Sequence, residues 1–232
     1  MATKEHTSRI YDGELNNLHC LVLEMAGLLI VQLDQSLQAL HDRDTHLAEK
    51  IILRDQEVDN HEIKIDNAVL TILAKRAPVA NDLRLIISVS KIVVDLELIG
   101  DELVKIAKLI ISMFSSDSSD PNQQLLRDIV KMGSMVSNML KQVIQAFDNF
   151  DLASAYALLN ERWDYGDEYQ AGIRRQLTFV IEDPRIISRS LNIAQIMKSL
   201  ERCGDHCRNI NEYLIFILEG KNIRHHNAGA VF

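Results

Sequence analysis

Apolar residues recur along this chain at steps of three and four, a spacing that places them on one face of an α-helix. The first stripe passes through Leu15, Leu18, Val22 and Met25. Similar stripes continue to the end of the chain, and turn residues interrupt them. The pattern predicts six long helices, over about 10–41, 45–76, 78–111, 124–147, 152–181 and 184–220.

The predicted helix ends coincide with residues that cap or break helices. Pro78 suits a first helical turn, and in the Asp183-Pro184 pair the aspartate can cap a helix that the proline begins. Gly220 suits the left-handed position that ends a helix. The polar runs HDRD (41–44) and DNFD (148–151) separate the other neighbouring helices.

The chain also repeats itself. Residues 96–106 read LELIGDELVKI and residues 200–210 read LERCGDHCRNI, five identities in eleven positions at an offset of 104. The run Met25–Ala48 matches the run Met132–Ala155 at an offset of 107. A period near half the chain length indicates a duplicated unit. We therefore predict an all-α protein of two tandem repeated antiparallel three-helix bundles.

One segment looks like a linker between the repeats. FSSDSSDPNQQ at 114–124 is small and polar and contains a proline. The predicted division is a first three-helix bundle at 1–113, a linker at 114–123, a second bundle at 124–220 and a flexible tail at 221–232.

The amino-acid composition limits the classes of function that the chain can have. Three Pro, nine Gly and 5% aromatic residues are typical of long helices, and a net charge of -8 argues against a nucleic-acid-binding surface. The chain lacks a charge-free apolar run near 18 residues, and its first ten residues have no apolar signal-peptide core. Three cysteines suit a reducing compartment. These features predict a cytoplasmic protein without a membrane span.

Two carboxylate pairs recur in the repeats, each four residues apart on one helix face: Glu97/Asp101 and Glu201/Asp205. Like charges at this spacing repel by about 0.2–0.5 kcal/mol, so a bound cation would stabilise them. Their oxygens suit a hard cation such as Mg²⁺, Ca²⁺, Mn²⁺ or iron. An ordinary salt-bridged surface is the alternative, because Lys105 and Arg208 lie within one turn.

The second predicted helix carries an acidic stripe on one narrow face: Asp55, Asp59, Glu62 and Asp66. A solvated face is the simpler interpretation, and the Glu-x-x-His pairs of buried di-iron bundles are missing, so any metal should lie at the surface. The second half offers Asp164, Asp167 and Glu168, but Trp163 stands where Asp55 would correspond. One half should therefore bind metal more weakly than the other.

Cys203, His206 and Cys207 fit no zinc spacing and are expected to be core or half-buried residues. The sequence contains no phosphate-binding glycine loop and no recognisable nucleophile motif, which disfavours hydrolase and transferase functions. An acidic surface repels anions, so free phosphate is expected to bind only through a metal bridge.

The segments LERCGDHCRNINEYLIFILEG (200–220) and AKRAPVANDLRLIISVSKIVVDLELIGD (74–101) resemble the PhoU family of phosphate-transport regulators. The resemblance runs along nearly the whole chain, to the NIRHH sequence near its end. It implies two three-helix bundles, often dimeric, with surface motifs that bind divalent or iron-type metal clusters. The residues that match those motifs are Glu97, Asp101, Glu201, Asp205, Asp55, Asp59 and, less well, Asp167.

The resemblance further implies a non-enzymatic negative regulator. Such proteins link the ATPase of a phosphate ABC transporter to a membrane sensor histidine kinase, and meet the inner membrane only through these partners. Two residues depart from the family pattern: Leu98 replaces an arginine that Arg202 keeps in the second copy, and Trp163 replaces an acid. A metal-dependent enzyme or metal-storage bundle is the alternative function, and a purely structural helical scaffold is a third.

Overall fold

The computed structural model describes residues 2–114, 123–161, 163–221 and 223. Most of the predicted linker (114–123) and tail (221–232), with most of the NIRHH sequence, lies outside these residues. The described helices are α1 (Ala2–Asp42), α2 (Thr45–Arg76), α3 (Ala80–Phe114), α4 (Gln123–Asp148), α5 (Leu152–Asn160), α6 (Tyr165–Glu182) and α7 (Ile187–Glu219). The all-α prediction is confirmed.

Three predicted helix starts are shifted, and the first of them is that of α1, which begins at Ala2 and not near residue 10. Ala77, which precedes a proline and is therefore disfavoured in helical conformation, ends α2 with a φ of 45°, and α3 begins only at Ala80. Asp183 accepts a hydrogen bond from the Arg185 amide, as a cap should, but a 3₁₀ turn over Pro184–Ile186 precedes α7. Gly220 ends α7 with a φ of 75°, as predicted.

Helices α1–α3 form one antiparallel bundle and α4–α7 form the other. The bundles pack side by side, because α3 lies antiparallel to α7 and α1 lies antiparallel to α4. Near one end of the α3–α7 contact, Arg84 Nε donates to the Ile217 carbonyl over 3.1 Å. The buried apolar residues of all seven helices belong to one continuous core. The duplicated units are thus joined through their hydrophobic faces.

The repeat is visible as a local two-fold relation between α1 and α4. Asp34 and Lys141 are equivalent at the offset of 107, and Lys141 Nζ donates to Asp34 Oδ2 over 2.8 Å. The loops after α1 and α4 also correspond, because Asp44 and Asp151 each cap the following helix through a side-chain oxygen. The two helices therefore meet near the pseudo-symmetry axis.

The second-half helix predicted at 152–181 is interrupted between α5 and α6. Asp44 and Asp151 correspond at an offset of 107, whereas the acidic positions Asp59 and Asp167 correspond at 108. One extra residue in a continuous helix would rotate everything beyond it by about 100°. The interruption between the end of α5 at Asn160 and the start of α6 at Tyr165 absorbs that residue, and Trp163 Nε1 donates back to the Leu158 carbonyl over 3.2 Å.

Helix α1 is long and apolar enough over Ile10–Asp42 to pass a length and hydropathy test for a membrane span. The helices of soluble cores pass the same test. Leu18, Val22, Met25 and Leu29 are at most 1% exposed here, packed into the bundle core. The apolar stripe of α1 is thus already covered by protein.

Buried polar groups cross the α3–α7 contact. Asp95 is only 6% exposed and accepts hydrogen bonds from His206 Nδ1 at 2.7 Å and Asn209 Nδ2 at 3.0 Å. Glu102 is 4% exposed and accepts from Arg202 Nη1 at 2.9 Å. Burial raises the pKa of Glu102, but its hydrogen-bonded and cationic neighbours outweigh that effect and hold the pKa below its ordinary value. These contacts fix the register of the two helices.

We predict that His206→Ala lowers the free energy of unfolding by about 1–3 kcal/mol, because it removes a partner of a buried carboxylate. The cost should shrink in an Asp95→Asn background, where no charge is left uncompensated. Denaturant unfolding of the double-mutant cycle measures this coupling. The exposed His46→Ala is the matched control and should change stability by less than about 0.5 kcal/mol. Equal costs in both backgrounds would show that His206 and Asp95 are not coupled.

Candidate functional site

The acidic residues predicted in the first half come together on one face of α2 and α3. Asp55, Asp59 and Glu62 lie on α2, and Glu97 and Asp101 lie on α3. Mutual repulsion among them affects the ionisation of both Asp55 and Glu97. The structure therefore places both predicted motifs of this half in one acidic face, hereafter the first acidic face.

Gly100 allows this close approach of α2 and α3. A Cβ at position 100 would lie 3.4 Å from Asp55 Oδ1, 3.4 Å from Val58 Cγ1 and 3.3 Å from Leu29 Cδ2. These distances are tighter than most real side-chain contacts, so a larger residue would push α2 outward. The glycine of the LELIGD repeat thus has a packing role next to the carboxylates.

Ionisation of the first acidic face is opposed by its surroundings. Burial, followed by the charges of Asp59 and Asp101, raises the pKa of Asp55, although Lys108 acts against the shift. Burial raises the pKa of Glu97 as well, and Asp101 is the largest charge contribution. Burial with Asp66 and Asp59 raises the pKa of Glu62. A cation placed on this face would relieve the repulsion.

The simple salt-bridge interpretation of Asp101 receives little support. Lys105 Nζ lies 4.0 Å from Asp101 Oδ2 but only 3.0 Å from Glu102 Oε1, so its main partner is the buried Glu102. The side chain of Asp101 is 51% exposed. Lys105 therefore contributes more to the interface between the bundles, through Glu102, than to charge compensation on the first acidic face.

The acidic residues of the second half meet around an open pocket of about 370 Å³. Glu201 and Asp205 come from α7, and Asp164 and Asp167 come from the start of α6 and the residue before it. The structure thus places Asp167 at the same pocket as the Glu201/Asp205 pair. This surface is hereafter the second acidic face.

Donors from the protein contact the carboxylates of the second acidic face. Lys198 Nζ pairs with Glu201, and the Tyr165 hydroxyl donates to Asp205 Oδ1 over 3.1 Å. Burial, together with Asp205, raises the pKa of Tyr165, so the hydroxyl keeps its proton. Arg208 lies 5.7 Å from the centre of the Tyr165 ring. Glu201 and Asp205 therefore already have partners.

Sequence reasoning missed Lys198 and Tyr165 as partners of these acids. The lysine could have been found, since it lies three residues before Glu201 on the same helix. The tyrosine could not, because it comes from another helix. Its ring packs directly on Gly204, where an added Cβ would lie 2.9 Å from the ring.

Neither acidic face forms a complete set of ligands for a metal ion. Within the part of the chain that the structure describes, no group of three or more His, Cys, Asp or Glu side chains is placed to hold a metal ion together. The donor type of the first acidic face suits a hard cation, but the spacing suits one held by one or two carboxylates and water. The predicted metal ligands therefore stay a prediction.

The other candidate residues have structural positions. Cys203 and Cys207 are free and fully buried, and burial raises the pKa of both thiols, which confirms the prediction of core cysteines. His206 contacts Asp95 rather than a metal site. Arg202 donates to Glu102 across the interface between the bundles. In the second copy the arginine at this position therefore has an interface role, whereas the equivalent residue of the first copy is Leu98.

The fold and these faces define a class of protein, built from two tandem helical bundles that carry carboxylate motifs at their surfaces. The family model of the PhoU domain matches residues 22–110 and 129–214, one copy in each half. The chain therefore belongs to the PhoU family.

Named relatives agree with this placement. A phosphate-specific transport system accessory protein PhoU homolog of Pseudomonas aeruginosa is 39% identical over 220 residues, covering 95% of this chain and 90% of that protein. The accessory protein PhoU of Escherichia coli is 34% identical, with the same coverage of 95% and 90%. This chain is thus similar along its length to accessory proteins of phosphate transport.

Solved structures agree on the fold. The crystal structure of PhoU from Pseudomonas aeruginosa matches with a TM-score of 0.84 at 38% identity, over 91% of this chain and 100% of that one. The phosphate transport system regulatory protein PhoU from Streptococcus pneumoniae matches with a TM-score of 0.82 at 25% identity, over 91% and 98%. The predicted tandem bundles are the architecture of these relatives.

We predict that Glu97→Gln stabilises the protein near pH 7 by about 0.5–1 kcal/mol, the sum of several like-charge contacts. The folded pKa of Glu97 is raised, so its ionised form opposes folding above that pKa. This penalty is absent below the unfolded pKa of about 4.3, and the gain should vanish as the pH falls through it.

Thermal unfolding of wild type and variant between about pH 4 and pH 7 measures this effect. Glu201→Gln is the matched control, and it should not stabilise at any pH because it loses the contact with Lys198. A gain from Glu97→Gln that stayed constant across the pH range would rule out charge repulsion as its source.

Proposed function

We propose that this protein is a negative regulator of phosphate uptake and of the phosphate-starvation response. The supporting observation is the match of both halves to the PhoU domain, together with relatives named as accessory and regulatory proteins of phosphate transport. A regulatory role in phosphate transport follows from membership of this family. The negative sign and the coupling to a kinase are our proposal.

In this proposal the protein acts as a non-enzymatic adaptor. It contacts the ATPase of a phosphate ABC transporter and a sensor histidine kinase, and works as a homodimer in the cytoplasm at the inner membrane, which it reaches only through these partners. An adaptor changes its partners' activity only by binding one of their states more tightly than another. Two rigid bundles joined by the α3–α7 contact offer the extended surfaces that such binding requires.

The output of a phosphate-starvation promoter tests the proposal. We expect deletion of the gene to switch the promoter on in cells grown with abundant phosphate, and the wild-type gene to switch it off again. The reason is that loss of the adaptor frees the kinase from the transporter's signal. The promoter is read with a reporter in the same medium for all strains.

Complementation with His46→Ala, an exposed position on α2, controls for expression of a variant protein. Immunoblotting should show equal amounts of each protein. A promoter that stays silent in the deletion strain would refute the negative-regulator proposal.

We further propose that the first acidic face binds a divalent or iron-type cation. The supporting observation is that burial and mutual repulsion raise the pKa values of Asp55 and Glu97 together. A cation would be held there by one or two carboxylates and water, and would stiffen the contact between α2 and α3. A metal-dependent enzyme or storage bundle is the rival interpretation. This rival interpretation requires that the protein bind metal tightly at a fixed stoichiometry. It also requires an enzymatic or storage activity that is lost when the carboxylates are replaced.

We predict that Mn²⁺, used as the probe, raises the melting temperature of metal-free protein, because a ligand that binds only the folded state stabilises it. Replacing Asp55, Glu97 and Asp101 by their amides should abolish both this shift and Mn²⁺ retention in equilibrium dialysis. The matched variant replaces Asp167, Glu201 and Asp205 by amides and should keep most of both effects. Equal losses in the two variants, or no shift in wild type, would contradict the assignment to the first acidic face.

A further inference from the structure

An open groove runs between the middle of α1 and the middle of α2. Its volume is about 630 Å³, and all the residues that line it belong to these two helices. On the α1 side the lining includes Gly27, Leu28 and Val31, and Val31 is 48% exposed. No residue of either acidic face lines the groove, so the metal proposal above does not use it.

Gly27 lies in the interior of a 41-residue helix, where a glycine destabilises the helix relative to an alanine. Gly100 on α3 has a packing role that explains it, but Gly27 has no such role within the chain. A Cβ at position 27 would meet no part of the chain within 4 Å apart from its own helix. The missing side chain therefore leaves room on α1 for the close approach of another molecule.

Val31 lies one turn beyond Gly27 on the same face of α1. Its exposed side chain projects next to the open space at Gly27. If two copies of α1 cross in antiparallel orientation midway between these residues, the Val31 side chain of each copy lies on Gly27 of the partner subunit. Such a contact is self-complementary, as a two-fold symmetric interface requires.

The charges around the groove suit a second copy of this chain. Arg54 and Glu57 lie toward one end of the groove, and Glu24 and Lys64 lie toward the other. A two-fold axis across α1 brings unlike ends together, so an acid and a base of one copy face an acid and a base of the partner. Two chains of net charge -8 repel each other, and a charge-balanced patch is a place where they can meet.

These charged residues are not tied up in strong ion pairs within the chain. Arg54 Nη1 donates to the neutral amide of Gln35 over 3.1 Å. Glu24 lies 3.4 Å from His61 Nε2, and the Glu24 side chain is 62% exposed. The structure describes residues 24–64, which contain the whole lining, without a gap. Each lining residue lies at least nine residues, or roughly 13 Å, from the nearest end of its helix.

We propose that this groove is the surface through which two copies of the protein associate, with Val31 of each copy packed on Gly27 of the partner subunit. The inference rests on the homodimer of the proposed function and names its interface. The groove shares no lining residue with the acidic faces, so a second copy and a metal ion do not compete for the same side chains.

Sedimentation velocity of the full-length protein over a range of concentrations tests the proposal. We expect a monomer–dimer equilibrium for the wild type. Gly27→Leu should raise the dissociation constant roughly ten-fold or more, because the new side chain fills the space that receives Val31. The same change should raise the Tm of the monomer, since leucine favours a helix over glycine.

Gly13→Leu is the matched control for this variant. Gly13 is equally open, because a Cβ there would also meet nothing within 4 Å, but it lies roughly 21 Å along α1 from Gly27. The control should gain stability in the same way and leave the dissociation constant unchanged.

A pair of charge variants tests the two-fold arrangement. Arg54→Glu leaves an excess of acid at both ends of the interface, and Glu24→Lys leaves an excess of base. Each variant alone should have a dissociation constant raised roughly ten-fold or more. Mixed in equal amounts, the two variants should form a heterodimer, because the acid gained by one faces the base gained by the other.

A wild-type protein that is monomeric at every concentration would overturn the proposal. So would a dimer that Gly27→Leu leaves intact, or charge variants that do not associate when mixed. The promoter experiment stays separate. A repressing protein whose dimer ignores these variants refutes only this inference, and a silent promoter with a variant-sensitive dimer refutes only the negative-regulator proposal.

Discussion

The antiparallel contact between α3 and α7 is the constraint on which the rest of the molecule depends. Each helix belongs to a different bundle, and both carry a copy of the Leu-Glu-x-x-Gly-Asp sequence. One side of each copy must therefore build the interface while another side presents carboxylates. The buried pair of Asp95 and His206 sets the register between the helices. Removing a partner from such a buried contact costs more than the contact itself contributes, which gives the arrangement its specificity.

The two copies contribute different residues to the α3–α7 contact. At the offset of 104, Asp95 corresponds to Ser199, and Glu102 corresponds to His206. Asp95 of the first copy thus pairs with His206 of the second, and Glu102 of the first copy pairs with Arg202 of the second. Leu98 is the residue equivalent to Arg202, and His206 stands where a second copy of Glu102 would be. The Glu102–Arg202 pair is therefore not repeated by the equivalent residues of the other copy.

Much of the fold could be predicted from the sequence because its signals are local. Periodic apolar residues, capping aspartates and Gly220 determine the helices, and the offset of the repeats predicts the tandem bundles. The break near Trp163 could not be predicted from apolar periodicity, although the offset between the copies changes from 107 at Asp151 to 108 at Asp167 in the sequence itself. The residues of the acidic faces could be predicted from the sequence only in part. Spacing along one helix identifies Glu97 and Asp101, but only tertiary structure shows that Asp55 joins them and that Tyr165 answers Asp205.

The interruption between α5 and α6 has a consequence for how the two copies could diverge. In a continuous helix such as α2, an inserted or deleted residue rotates all residues beyond it about the helix axis. The acidic stripe and the buried stripe of α2 would therefore both be displaced by such a change. An interrupted helix isolates its two segments, and a change of length in one leaves the other in place. A one-residue change of length in the second copy can therefore be absorbed at the interruption without rotating the buried face of the rest of the helix. The pocket of the second acidic face is lined by Trp163 and Tyr165 next to its acids, whereas the uninterrupted α2 carries the row Asp55, Asp59, Glu62 and Asp66.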